Sequence, residues 1–278
     1  MKPLEGQVAL ITGGARGQGR SHAVHLASLG ADIALVDSLK APSTTAYAAP
    51  DRADLEETIR LVEKEGRRAF ARQVDVRDVP GLTGFVADVV AELGRVDILI
   101  ANAGMLSTSE ISAMSPEVWA EMIDINLTGV FNSFRAVLPH MIASEYGRIV
   151  AISSAAGHMG FAQLGHYTAA KWGVIGLAKA TALEVAQKGI TVNVITPTNV
   201  NTAMIRNPAV EEMFLPGVAN PTEEQVREAF VHNPMGVPWV ESIDISRAVA
   251  FLVSPDSKYI TGETIGPLAG MAATNGAA

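Results

Sequence analysis

Tyr167 and Lys171 stand four residues apart in YTAAKWGVIGLAKATALEVA, a run whose apolar residues recur at helical spacing. That spacing predicts both side chains on one face of a helix, one turn apart. Ser154, thirteen residues before Tyr167, closes the β-branched run RIVAISS, which reads as a buried strand reaching its C-terminal tip. Strand tips that feed helices are where open α/β sheets put their ligands. A phenol, an ammonium and a hydroxyl converging there can take a proton from an alcohol oxygen and return it. On this reading the ammonium stabilises phenolate and lowers the tyrosine pKa toward working pH, where a general base is most effective. A long helix also acquires a Tyr–Lys pair by chance, so the flanking elements have to decide.

The first of these is QVALITGG (7–14), an apolar run ending in glycines; TGGARGQG (12–19) links it to a helical pattern that Gly30 terminates. Glycines between a strand and a helix let the backbone approach a pyrophosphate, which then sits at the positive end of the helix. Gly13, Gly17 and Gly19 follow G-x-x-x-G-x-G rather than the usual G-x-G-x-x-G fingerprint. A second buried strand, ADIALVD (31–37), ends in Asp37, eighteen residues after Gly19. An acid there can bind both hydroxyls of an adenosine ribose and repels a 2′-phosphate, which favours NAD over NADP. Arg16 points the other way, since a basic residue in the loop can meet a phosphate, but Ser38 and Leu39 add no positive charge beside Asp37.

Residues 38–53, SLKAPSTTAYAAPDRA, read as an irregular insertion beside that site, either a lid or a tolerated surface segment. FARQVDV (70–76) is a third strand whose Asp75-Val76 end is placed to cap an adenine. VDILIANAG (96–104) is a fourth, ending in residues small enough to pass close to a ribose. Two helical patterns fill 116–145 and carry Asn126 within an apolar face, as a structural hydrogen-bonder or as part of a water relay. A further strand spans 191–197. The segment 198–240, with its Met, Phe, Pro and Trp, reads as an apolar cover over a substrate, and a last helix and strand follow. Strands and helices alternate throughout, which predicts an α/β fold: one doubly wound parallel sheet over 1–278, with no second domain.

At 278 residues and 48% hydrophobic content, the chain can bury a full core. A net charge of −8, with no basic stretch longer than Arg67-Arg68, argues against nucleic acid or an anionic membrane as partner. The absence of cysteine removes disulfides, thiolate chemistry and zinc–sulfur sites, and fits the cytoplasm. No apolar run suits a signal peptide or approaches the roughly 20 residues of a membrane span. The six histidines are scattered; His22 and His25 share a helix face without a carboxylate at ligand spacing, so surface histidines and no metal site are expected.

Together, TGGARGQG (12–19), NAG (102–104), Asn126, Ser154 and YTAAK (167–171) resemble the short-chain dehydrogenase/reductase family over nearly the whole chain. The resemblance implies an oxidoreductase acting on an alcohol or ketone. It makes Tyr167 the acid/base and Ser154 the holder of the substrate oxygen. Lys171 would bind the nicotinamide ribose and lower the tyrosine pKa, and Asn126 would anchor a water chain. It implies NAD contacts from Gly13, Ala15, Arg16, Gly17, Gln18, Gly19, Asp37, Ser38, Asp75, Val76, Asn102, Ala103, Gly104, Tyr167 and Lys171, and from Pro197, Val200 and Thr202 near the carboxamide. A homotetramer is implied as well. GARGQGRSHAV, the insertion, GRRAFARQVDVRD, TPTNVNTAMI and NPMGVPWVE further resemble the mycofactocin-dependent, carveol dehydrogenase-like branch, in which NAD is held firmly and a second redox carrier recycles it. The ending Pro267-Leu268-Ala269-Gly270, where Asp-Ala-Gly is usual, and an insertion shorter than that branch leads one to expect, depart from the pattern.

Overall fold

The structure is a computed structural model that describes residues 2–274. The run VALIT becomes β1 (Val8–Thr12), every residue of it buried. It leads through the glycine turn into α1 (Gly17–Ser28), then β2 (Asp32–Asp37), α2 (Arg52–Lys64) and β3 (Ala69–Gln73). The chain returns to the centre through α3 (Val79–Leu93) and β4 (Ile98–Ala101). It continues with α4 (Pro116–Ile123), α5 (Gly129–Ala143), β5 (Gly147–Ile152), α6 (Gly165–Val185) and β6 (Ile190–Ile195). Two short helices, α7 (Pro208–Phe214) and α8 (Glu223–Ala229), precede α9 (Ser242–Val253) and β7 (Thr264–Ile265).

All seven strands are parallel, in the order β3-β2-β1-β4-β5-β6-β7. Parallel strands joined by helical crossovers are covered on both faces, which is why residues 8–11, 98–101 and 149–152 read as apolar runs rather than alternating ones. One core layer packs Phe85 of α3 and Phe134 of α5 against the sheet, and the other packs Leu26 of α1 and Ile245 of α9. The strand order reverses between β1 and β4, and that is where a crevice opens beyond the strand tips. Among the described residues no helix is long and apolar enough to cross a membrane.

Several local readings change. The third strand stops at Gln73, so Asp75 and Val76 lie in the turn beyond it. The last strand is only two residues long. The two helical patterns of 116–145 are joined by a π-helical turn, Asp124–Thr128, that contains Asn126. Such turns occur mostly as single insertions within α-helices, frequently at functional sites. His22 and His166 are not surface residues; both are fully buried. His22 Nδ1 lies 2.8 Å from the Ser246 hydroxyl, which fastens α1 to α9, and burial pushes its pKa down to about 3.

Candidate active site

The crevice is built by two strand tips clamped together. Thr12 Oγ1 accepts from the backbone N–H groups of Asn102 and Ala103 at 3.1 and 3.0 Å, while Asn102 Nδ2 donates to the carbonyls of Thr12 and Gly13. Gly19 is fixed by this packing, since a Cβ there would lie 2.0 Å from the Gly13 carbonyl oxygen. The helix that starts at Gly17 has no side-chain cap and no acid in its first turn. Its first amides therefore remain available to an anion. Gln18 adds a buried side-chain oxygen with no partner in the structure.

Gly13, Arg16, Gly17, Gln18, Gly19, Asp37, Ser38, Asp75, Val76, Asn102, Ala103, Gly104 and Thr202 all line this cleft. Ala15 lies beneath it and donates its N–H to Asp37 Oδ2 at 3.1 Å, while Leu39 N–H reaches Oδ1 at 3.1 Å. Burial raises the Asp37 pKa, partly offset by these two amides. Each carboxylate oxygen keeps a lone pair free for a hydroxyl donor. Asp75 is paired with Arg77 at 2.6 Å and still borders the cleft. A cleft with free helix amides at one end and an acid with spare acceptor capacity at a strand tip fits a dinucleotide.

A second, largely apolar chamber adjoins it, sharing Gln18, Thr202 and Met204 with the first. Ser154, Tyr167, Pro197 and Val200 line this chamber, so the last two stand on its wall rather than in the nucleotide cleft. Leu106, Phe161, Leu164, Val210, Met213 and Phe214 supply its apolar surface. The 198–240 segment covers it through two well-capped helices: Asn207 caps α7, and Thr222 with Gln225 forms a capping box on α8. Behind the chamber, Phe230 and Trp239 anchor the cover, with the Arg206 and Arg227 guanidinium groups 4.3 and 4.9 Å from the Trp239 ring.

Tyr167 and Lys171 share one face of α6, with Nζ 5.5 Å from the centroid of the phenol ring. Lys171 is 4% exposed and donates to the Ile152 carbonyl at 2.9 Å. Burial lowers its pKa to about 8. The tyrosine does not behave as the spacing suggested. Burial pushes its pKa up to about 12, the nearby Ser154 hydroxyl offsets part of that, and the Tyr47 phenol adds to it. Desolvation of the phenolate therefore sets the direction in the nucleotide-free site.

Asn126 is fully buried and already occupied. Its Oδ1 accepts from Met105 N–H at 3.2 Å, and Nδ2 donates to the Met105 and Met122 carbonyls at 3.1 and 3.3 Å. Gly104 separates it from the lysine, because a Cβ on Gly104 would meet Asn126 Oδ1 at 2.7 Å and Lys171 Nζ at 3.7 Å.

With this geometry in place, the family model for short chain dehydrogenase matches residues 7–212. The chain belongs to the short chain dehydrogenase family. It is similar to the (-)-trans-carveol dehydrogenase of Rhodococcus erythropolis, at 48% identity over 95% of this chain and 97% of the relative. A crystal structure of carveol dehydrogenase from Mycobacterium avium in complex with NAD superposes with a TM-score of 0.96 at 42% identity, covering 98% of this dehydrogenase and all of that chain. Levodione reductase superposes at 0.85 with 29% identity.

Spacing alone missed several residues around these cavities. Tyr47, Pro42 and Pro50 of the insertion line the nucleotide cleft, and Met271, close to the C-terminus, lines the chamber. Glu121 holds the insertion in place. Its carboxylate accepts from the N–H and hydroxyl of Ser43 at 2.9 and 3.0 Å, and from those of Thr44 at 2.9 and 2.7 Å.

Proposed function

We propose that this dehydrogenase interconverts a hydrophobic, alicyclic secondary alcohol and its ketone with NAD. The observation that carries this reading is the junction itself. Tyr167 and Ser154 face an apolar chamber that opens into a cleft suited to a dinucleotide, with Lys171 packed behind the phenol. NAD, as found in the Mycobacterium avium structure, is supported by Asp37 at the tip of β2. The carveol and levodione relatives, by their names, support a cyclic alcohol or ketone.

In the oxidative direction the Ser154 hydroxyl hydrogen-bonds the substrate oxygen, and the Tyr167 phenolate takes the hydroxyl proton. NAD, when bound, would supply the acceptor for the hydride of the carbinol carbon. The Lys171 ammonium has two N–H groups beyond the one given to Ile152, and these are free for ribose hydroxyls. Asn126 fixes the Met105 backbone beside Lys171 and so anchors the route by which the proton leaves.

The insertion supports the further reading that NAD stays bound through many turnovers and is reoxidised by a separate, mycofactocin-like carrier. It is fastened to Glu121 of α4, and the Arg16 guanidinium donates to the Ala48 carbonyl across the cleft. Exposed Trp119, Phe131, Trp172 and Leu183 on α4, α5 and α6 support assembly into a homotetramer. The test is to denature the purified protein, identify any nucleotide released by mass spectrometry, and follow single-turnover oxidation of a panel of cyclic alcohols. Stoichiometric NAD(H) and turnover of alicyclic substrates are expected. An NADP-filled site, or turnover confined to charged acyclic alcohols, would contradict the reading.

A further inference from the structure

The insertion brings a second phenol into the active site. Tyr47 lines the nucleotide cleft, as Gly104, Asn102 and Ile125 do, and stands close enough to Tyr167 to raise the pKa of that phenol. Its hydroxyl oxygen accepts the Leu106 N–H at 3.3 Å. Among the described residues no protein group accepts its own proton. Burial raises the Tyr47 pKa, so the group is a donor throughout the working range.

The position of that donor is set from two sides. The Ser43 and Thr44 contacts with Glu121 lie four and three residues before Tyr47, and the Ala48 contact with Arg16 follows one residue after it. On the facing strand tip, Met105 N–H is taken by Asn126 and the next amide, that of Leu106, by Tyr47. Leu106 also lines the chamber that holds Ser154 and Tyr167, so this contact fixes the phenol at the chamber end of the cleft.

We propose that Tyr47 is a nucleotide-binding residue. Its O–H donates to an oxygen of the ribose–diphosphate span on the nicotinamide side, so the insertion closes by engaging the cofactor and not only by covering it. This rests on the reading of the cleft as an NAD site. It assigns a binding contact to a residue outside the glycine turn, the strand tips and the Tyr–Lys helix.

The test compares wild type and Tyr47→Phe, freed of nucleotide, in calorimetric titrations with NAD, ADP-ribose and AMP. Losing one neutral hydrogen bond predicts Kd values about 3- to 10-fold higher for NAD and ADP-ribose. AMP, which lacks the second ribose and the pyrophosphate linkage, should bind Tyr47→Phe as tightly as wild type, which also reports that the variant is folded. If Tyr47 only helps the insertion close, AMP weakens in parallel with the other two. That result, or unchanged affinity for all three, overturns the proposal. Failure of wild type to bind any of the three would instead defeat the NAD reading on which it rests.

Discussion

The Lys171 ammonium stands 5.5 Å from the Tyr167 ring, yet it donates to the Ile152 carbonyl and not to the phenol. The two groups are buried together, and each is pushed toward its neutral form: the phenol up to about 12 and the amine down to about 8. In this state the tyrosine is an acid held in reserve. A cationic nicotinamide ring and ribose hydroxyls arriving beside it are what would favour the phenolate.

The first prediction concerns that phenol. In the nucleotide-free protein, Tyr167 should stay protonated beyond the ordinary tyrosine value of 10.0. The difference in ultraviolet absorbance between wild type and Tyr167→Phe, followed through an alkaline titration, isolates it. Phenolate appearing at lower pH than an ordinary tyrosine would mean that Lys171 dominates after all.

Asp37 is expected to set nucleotide choice. Its carboxylate is buried, already receives two backbone N–H groups, and has nothing to offer a 2′-phosphate but repulsion. Asp37→Ser should lower kcat/KM with NAD and narrow the preference over NADP by roughly 10- to 100-fold, the range of a charge-assisted hydrogen bond of about 1.5–3 kcal/mol. Steady-state kinetics with both nucleotides gives the ratio. Comparable efficiency of wild type with NAD and NADP would contradict the assignment.

The tether from Glu121 to the insertion predicts that this residue sets how fast the nucleotide leaves. Burial disfavours its charge, but the hydrogen bonds from Ser43 and Thr44 more than compensate and hold its pKa below the usual range. Glu121→Ala removes the four hydrogen bonds that tie Ser43 and Thr44 to α4. Exchange of bound for isotopically labelled NAD should quicken by about 10- to 100-fold, as for loss of charge-assisted hydrogen bonds. Unchanged exchange would show that the insertion does not limit release.

Much of this arrangement was legible in residue order. TGGARGQG lay between a strand and a helix, Asp37 sat at the second strand tip, and Ser154, Tyr167 and Lys171 kept spacings that only one placement on strand and helix satisfies. What stayed hidden depends on contacts between distant segments. Nothing in SLKAPSTTAYAAP marks Tyr47 as a cleft residue, because its position follows from Glu121, more than seventy residues later. The Tyr167 pKa was misjudged because helical spacing reports proximity to Lys171 and not the depth of burial. His22 looked like a surface residue because its partner Ser246 lies at the far end of the chain.

His22 carries a prediction for stability. Its folded pKa of about 3 lies below the ordinary 6.5, so the unfolded chain binds the extra proton between those values. Stability is therefore fully present above about pH 6.5 and is lost as pH falls toward 3, by about 3–6 kcal/mol in total. His22→Gln keeps a polar group near Ser246 but cannot titrate, and should flatten that part of the acid limb. Urea unfolding at a series of pH values measures it; an unchanged slope would place the acid sensitivity in other groups.

The most direct measurement is single-turnover oxidation of a cyclic secondary alcohol by NAD-loaded wild type and Tyr167→Phe, read by NADH absorbance and by nucleotide content. Tyr167→Phe should retain its NAD and lose at least about 1,000-fold in rate, within the 10²–10⁴ range of a lost general base. NADH formation in that variant at a rate close to wild type would take the proton transfer away from Tyr167 and contradict the account at its centre.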